Sequence, residues 1–232
     1  MHKLYAVNTY HFKEEVRKLN IRWLGHSCFL FTNQEGLTVL TDPFDENVGY
    51  PVPHIQTDIV TVSHHHFDHD SVHVLPGKPQ IVDGEGPHNF SGLSFQGTAT
   101  FHDAAQGTKR GRNTLFSFTM DGVRIVHLGD LGHLLTPDHL KNVRHVDIAC
   151  VPVGGLYTID AEQAYQVVQQ LNPKIVLPMH YKLNNKISLP IEGIDRFLAY
   201  FAQIKKAKAL DIIPTSLPQI QEVVVLELSA AG

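Results

Sequence analysis

His64-His65-His66-Phe67-Asp68-His69 sets four metal-ligating side chains into six residues in an H-x-H-x-D-H pattern. The preceding segment, Thr57 to Ser63 (TDIVTVS), is β-branched and apolar and predicts a buried strand ending at the motif. If the chain stays extended beyond it, His64 and His66 project to one side and His65 and Phe67 to the other, because extended chain repeats every two residues. Asp68 and His69 are then expected from the turn that opens a short helix. Four donors converging from a strand end and a helix start point to a metal site. The other reading, histidines on a solvated loop, is weakened by the histidines and aspartates that recur downstream.

With 232 residues and no linker-like stretch, one domain over residues 1–232 is expected, with 1–20 as an N-terminal extension. Within Tyr10 to Leu19, the helical spacing of Phe12, Val16 and Leu19 predicts a segment packed on the body or on a second subunit, so a homo-oligomer stays open. No apolar run approaches the ~18 residues a bilayer span needs. The polar start MHKLYAVNTYHFKEEVRK has no signal-peptide core. Cys28 and Cys150 sit in strand-like stretches (SCFLF and VDIACVPV), where small buried hydrophobes are expected and a disulfide is not. A cytoplasmic protein without a membrane partner is the expectation. Net charge is −4 with histidine neutral, which argues against a broad nucleic-acid surface. Histidine is the anomaly, with sixteen against nineteen Lys plus Arg, several at spacings that core filling would not produce.

The first half reads as strands joined by turns. Ile21 to Phe31 and Leu37 to Thr41 are expected as a hairpin about the polar turn Asn33 to Gly36. After Asp42-Pro43, a Pro- and Gly-rich stretch to about Pro53 is placed where a loop over a site could lie. Further strands are predicted at Gln80 to Val82, Leu93 to Phe101, Thr114 to Thr119 and Val123 to Leu128. The second half alternates. Thr136-Pro137-Asp138 predicts a capped helix to about Val143, followed by a strand at Val146 to Val153. Thr158 to Leu171 predicts an amphipathic helix, Lys174 to Pro178 a strand, Glu192 to Ala207 a second long helix and Val223 to Leu228 a final strand. Strands first, then β/α alternation, implies two sheets face to face with helices outside.

Three residues just past strand ends extend the ligand list: His102, Asp130 and His180. Taken with Trp23-Leu24-Gly25-His26, Thr41-Asp42-Pro43, Pro152-Val153-Gly154-Gly155 and Pro178-Met179-His180-Tyr181, they resemble the metallo-β-lactamase-fold superfamily of metallohydrolases over about Ile21 to Leu228. Within it the chain looks most like the small bacterial Zn-dependent hydrolases related to L-ascorbate-6-phosphate lactonase. More distantly it is similar to the phospholipase D that cleaves N-acylphosphatidylethanolamines. The resemblance implies a four-layer αββα sandwich and a binuclear site: His64, His66 and His102 on one metal, Asp68, His69 and His180 on the other, and Asp130 bridging. Asp42 would support the ligand loop by hydrogen bonds. Two divalent ions sharing a water can lower its pKa from ~15.7 towards neutrality, giving a bridging hydroxide as nucleophile. No G-x-S-x-G elbow or catalytic-Cys signature is present. The N/O donor set fits Zn2+ and leaves Mn2+ and Fe2+ open.

The expected activity is metal-dependent hydrolysis of a small, anionic ester, lactone or phosphoester, with Asp68 and Asp130 catalytic. His133 is a candidate proton donor to the leaving group, its alternative being a helix-start residue on the rim. His26 and His65 are expected in structural hydrogen bonds. Lys109, Arg110, Arg112 and Lys182 are candidates for a substrate phosphate or carboxylate, or for a solvated loop. Gly154-Gly155 would let backbone pass near the metals without a Cβ in the way. A rival keeps the site and acts on phosphodiesters of RNA or nucleotides, but the chain shows no basic stripe. Redox chemistry as in flavodiiron proteins would want Glu at His66 and a flavin domain. A non-catalytic metal-binding protein is the remaining class, and the full set of seven ligands argues against it.

Overall fold

Strand-forming runs that stay apolar on both faces belong inside a sandwich, and this chain supplies them early and late. The computed structural model describes residues 17–185 and 187–230. Leu19–Gly25 (β1), Cys28–Thr32 (β2), Thr38–Thr41 (β3), Ile59–Val62 (β4) and Gln80–Asp83 (β5) build a six-stranded sheet, closed at its other edge by Leu210–Ile212 (β13). The eight-stranded sheet contains Gly86–Phe90 (β6), Leu93–Phe101 (β7), Arg112–Met120 (β8), Val123–His127 (β9), Ile148–Pro152 (β10), Ile175–Met179 (β11), Ile204–Ala207 (β12) and Glu222–Leu226 (β14). Strands β10 and β11 are buried at every residue. Their core side chains join those of β1 and β2 in one continuous apolar cluster. The result is an α/β sandwich of two mixed sheets.

Helices Pro137–Asn142 (α1) and Ala161–Leu171 (α2) contact the eight-stranded sheet, and Asp195–Leu198 (α3) lies against α2. Thr136 caps α1 and Asp160 caps α2, each in a capping box. No helix among the described residues is long and apolar enough to cross a membrane.

Strand direction decides where chemistry can gather. Strands β3 and β4 are parallel, as are β9, β10 and β11. Strand β7 is antiparallel to β8, which is antiparallel to β9, so β7 runs with β9. The segments after β3, β4, β7, β9 and β11 therefore emerge at one end of the sandwich, where open α/β sheets present ligand sites.

Three expectations need correction. The stretch Ile21 to Phe31 is two strands: Gly25 (φ 113°) and His26 (φ 50°) turn the chain back at mid-length. The long helix over Glu192 to Ala207 is one helical turn, α3, followed by strand β12, which pairs in parallel with β14. Phe197 satisfies the helical spacing by being buried, but Ile204 is exposed and its backbone completes the sheet edge instead. The stretch to Pro53 is no loop over the site: Phe44, Val48 and Tyr50 bury their side chains in the core. Of the N-terminal helical spacing, Phe12 and Val16 lie outside the described residues, and Leu19 opens β1.

Gly154 passes so close to the chain after β11 that a Cβ there would sit 2.1 Å from the His180 carbonyl oxygen. Backbone cannot swing aside as a side chain can. Gly154→Ala is expected to cost roughly 1–3 kcal/mol, lowering the melting midpoint of the metal-free protein by about 2–10 °C. An unchanged midpoint in a thermal scan would contradict this close approach.

Candidate metal centre

The H-x-H-x-D-H run is not extended. Ser63 to His66 bend and Phe67 to His69 turn, closed by amide hydrogen bonds from His66 to the His64 carbonyl (3.2 Å) and from His69 to the His66 carbonyl (2.9 Å). This curl, and not a period of two, brings His64 Nε2 to 3.0 Å from His66 Nδ1. His65 is thrown outward, two-thirds exposed, between Asp70 (2.7 Å) and Asp83 (3.1 Å).

Two groups of donors result, joined by a third made of His64, His69 and Asp130. In the first, His64, His66 and His102, one ligand atom per residue lies within 4.8 Å of the others. The second group meets the same limit and contains Asp68, His69, His180 and also His26. Asp130 stands between them: Nε2 of His69, His102 and His180 lie 3.2, 3.1 and 3.2 Å from its carboxylate, and that of His64 at 4.0 Å. All seven expected ligand residues thus meet at one place.

The surroundings fix these rings. Asp42 accepts hydrogen bonds from the Ser63 amide (2.8 Å), the Ser63 hydroxyl (2.6 Å) and His69 Nδ1 (2.9 Å), and Ser63 Oγ lies 2.9 Å from His64 Nδ1. One buried carboxylate therefore orients a histidine of each group. His102 Nδ1 lies 3.0 Å from the Tyr157 carbonyl. The Asp130 amide donates to Asn113 Oδ1 (2.9 Å), while Asn113 Nδ2 donates to Thr100 Oγ1 and the Leu128 carbonyl. The His26 carbonyl accepts from both Trp23 Nε1 (2.9 Å) and the His180 amide (3.2 Å). Trp23 in turn stacks on Tyr181, whose carbonyl accepts from the Tyr50 hydroxyl. His26, Asp42 and His180 all hold positive φ (50°, 40° and 51°) without being glycine, a conformation that costs of order ~1–3 kcal/mol each and persists only where surrounding contacts impose it.

Charge and unmet bonding capacity test whether a metal fits. Asp42, Asp68 and Asp130 are buried, and among the described residues no lysine or arginine lies within 4.0 Å of them, only histidines. Burial alone would raise the Asp130 carboxyl, but His180 and His69 hold it well below the ordinary carboxylate range. Burial likewise opposes charge on His69, yet Asp130 and Asp68 raise it well above its usual value. Burial and His69 push His64 down to about 2, and burial and His180 push His26 down to about 4, so both rings are neutral, as ligation requires. Nε2 of His69 and of His180 and Oδ1 of Asp130 are buried yet make no hydrogen bond, despite their short separations. Buried polar atoms aimed at a common point without a partner are what a cation resolves. Imidazole and carboxylate donors without thiolate suit zinc and related first-row ions.

Comparison with known proteins agrees. Residues 20–180 match the family model described as the beta-lactamase superfamily domain. The chain belongs to that superfamily. A metal-dependent hydrolase of Methanoregula boonei is 30% identical over 198 residues, covering 75% of this chain and 87% of that protein. The structure of a candidate Zn-dependent hydrolase of the metallo-beta-lactamase superfamily from Thermotoga maritima is 35% identical, with a TM-score of 0.76 over 90% of this chain and 98% of that one. A candidate metal-dependent hydrolase from Parabacteroides distasonis, 19% identical, shares the fold with a TM-score of 0.63, covering 92% and 94% of the two chains. The protein is a metal-dependent hydrolase of the metallo-β-lactamase superfamily.

In this hydrolase the centre opens into a cavity of about 520 Å³, walled partly by Lys109, Arg110, Tyr157, Phe67 and Leu189. Other expectations fall away. His133 does not face the cavity as a proton donor: its Nε2 accepts the Phe101 amide (3.1 Å) and its Nδ1 lies 2.8 Å from the Leu134 carbonyl, so backbone occupies both nitrogens. Arg112 points to Glu85 (3.1 Å), and Lys182 does not line the cavity. His26 is closer to the chemistry than a purely structural role implies, its Nε2 lying 3.2 Å from Asp68 Oδ2. Asn113 and Tyr50 escaped the sequence reading, and Tyr181 entered it only within the Pro178-Met179-His180-Tyr181 motif. Only the Tyr beside His180 carried a signal, by adjacency.

Asp42→Asn should weaken metal binding about 10–100-fold, because partners that orient ligand histidines typically carry that much affinity. Titration of chelator-stripped protein with zinc would check it. Parent-like affinity would mean that His69 and His64 hold their orientation without Asp42.

Proposed function

We propose that this hydrolase works with two divalent ions per chain, zinc by preference, and cleaves a small ester, lactone or phosphoester. The observation that carries the reading is Asp130, a buried carboxylate within 4.0 Å of histidines from both donor groups. His64, His66 and His102 would hold one ion, Asp68, His69 and His180 the other, and Asp130 both. Bound ions of this kind supply an acidified water and polarise the carbonyl or phosphoryl oxygen under attack.

The chain's own residues support water attack over a covalent route. No serine, threonine or cysteine lines the cavity among the described residues. Ser63 Oγ is engaged by Asp42 and His64, and both cysteines are buried. His64, His69 and His102 are oriented by hydrogen bonds at Nδ1, and Asp130 by its backbone amide, before any substrate arrives. Such preorganisation is where enzymes of this type gain rate, since a misplaced group costs ~10²-fold. His26, neutral and within hydrogen-bond reach of Asp68, holds that carboxylate in one orientation. A cavity of about 520 Å³ suits a small molecule better than a polymer.

Elemental analysis of fully loaded protein is expected to give about two ions per chain, and stripping with chelator to abolish hydrolysis of a 4-nitrophenyl ester until metal is restored. Asp130→Ala should lose metal and turnover together, by at least ~10²-fold. His133→Ala should keep both, because its nitrogens serve only backbone. Near-normal turnover with two ions in the Asp130 variant would remove the bridging assignment, and at most one ion in the parent would remove the binuclear one.

A further inference from the structure

The cavity wall carries two cations, Lys109 and Arg110, that form no ion pair among the described residues. Several basic side chains elsewhere are paired, among them Arg112 with Glu85, Lys174 with Asp147 and Arg196 with Glu192. Lys109 and Arg110 have no carboxylate within 4.0 Å among the described residues, and both line the cavity beside His102 and Asp130. Arg110 lies over the Tyr157 ring, 5.3 Å from its centroid. Stacking of this kind fixes the guanidinium plane and leaves its edge free to donate. Tyr157 also offers its carbonyl to His102, so the guanidinium is one residue removed from a ligand ring.

The loop that bears these cations is rigid. Asp103 accepts four backbone amides across it, from Ala105 (2.7 Å) and Gly107 (3.1 Å) on one oxygen and from Lys109 (3.0 Å) and Arg110 (2.8 Å) on the other. These bonds occupy both carboxylate oxygens of Asp103, which pairs with neither neighbouring side chain. Two cations, Lys109 exposed and Arg110 half-buried, on a cavity wall whose loop is held by Asp103 are arranged for an external anion. The same cavity presents Phe67, half exposed, and Leu189 as apolar surface.

We propose that Arg110 and Lys109, with Tyr157 as platform, bind an anionic oxygen group, carboxylate or phosphate, on the part of the substrate that is not cleaved, its apolar linker lying on Phe67 and Leu189. The inference rests on the hydrolase reading above and narrows its substrate to anionic esters and lactones. Arg110 supplies paired N–H donors and Lys109 a point charge, so Arg110 carries most of the recognition.

Two measurements on zinc-loaded protein test this. Calorimetric titration with glutarate and with glycerol 3-phosphate reads binding without turnover and separates a carboxylate from a phosphate ligand. Whichever binds the parent more tightly should bind Arg110→Ala about tenfold or more weakly, with Arg110→Lys intermediate and zinc content unchanged. Arg112→Ala, at the start of β8 and paired with Glu85, should match the parent within about twofold. In kinetics, Arg110→Ala should raise KM for 4-nitrophenyl hydrogen glutarate about tenfold and leave that for neutral 4-nitrophenyl butyrate unchanged. The subsite is overturned if the parent binds neither anion, if Arg110→Ala binds them as the parent does, or if both esters suffer alike. Arg110-dependent binding without hydrolysis of either ester would uphold the subsite and count against the ester-hydrolase reading, so the two can fail separately.

Discussion

Asp130 is an ionised carboxylate buried among imidazoles, and the rest of the structure is organised around that cost. Moving a lone carboxylate from water into a protein interior is unfavourable by several kcal/mol even after relaxation. Here the compensation comes from His69, His102 and His180, whose ring nitrogens lie within 3.2 Å of it. Nε2 of His69 and of His180 and Oδ1 of Asp130 have no hydrogen-bond partner, so carboxylate and rings together present free donor atoms to a cation. Stability and chemistry are therefore coupled through one side chain.

Holding the centre requires support from both sheets. Asp42, at the end of β3, controls His69 and, through Ser63, His64. Asn113, on β8, controls the backbone of Asp130. The aromatic group Trp23, Tyr50 and Tyr181 underlies the turn of His26 and the start of the loop after β11. Positive φ at His26, Asp42 and His180 shows how far the backbone is bent to aim these groups. A residue adopts such a conformation when neighbouring contacts leave it no alternative, and here those contacts are the site's own hydrogen bonds.

The cavity beyond the centre is asymmetric in its chemistry. Its floor is acidic and metal-seeking, while its wall carries Lys109 and Arg110 on a loop locked by Asp103. Fold alone does not assign a substrate, since this architecture supports many reactions. Substrate preference belongs instead to side chains on loops such as this one, positioned by a rigid scaffold.

The H-x-H-x-D-H run by itself determined the donor set, because so dense a group of nitrogen and oxygen ligands has few uses other than binding cations. Apolar runs of strand length, followed by capped helices, likewise determined the sandwich. What the run could not determine was its own shape: it curls, because backbone hydrogen bonds from His66 to His64 and from His69 to His66 replace the strand ladder once β4 ends. Nor could helical spacing over Glu192 to Ala207 reveal that Ile204–Ala207 pairs with β14, since a short apolar-polar segment takes the backbone partner the sheet edge offers. His133 illustrates the same limit. Three residues from Asp130 in sequence, it turns to the backbone of Phe101 and Leu134, while Asn113, Tyr157 and Arg110, far along the chain, reach the centre or its wall. Residue type and local spacing fix which chemistry is available, but orientation is set by long-range hydrogen bonds and strand direction, which only the folded chain supplies.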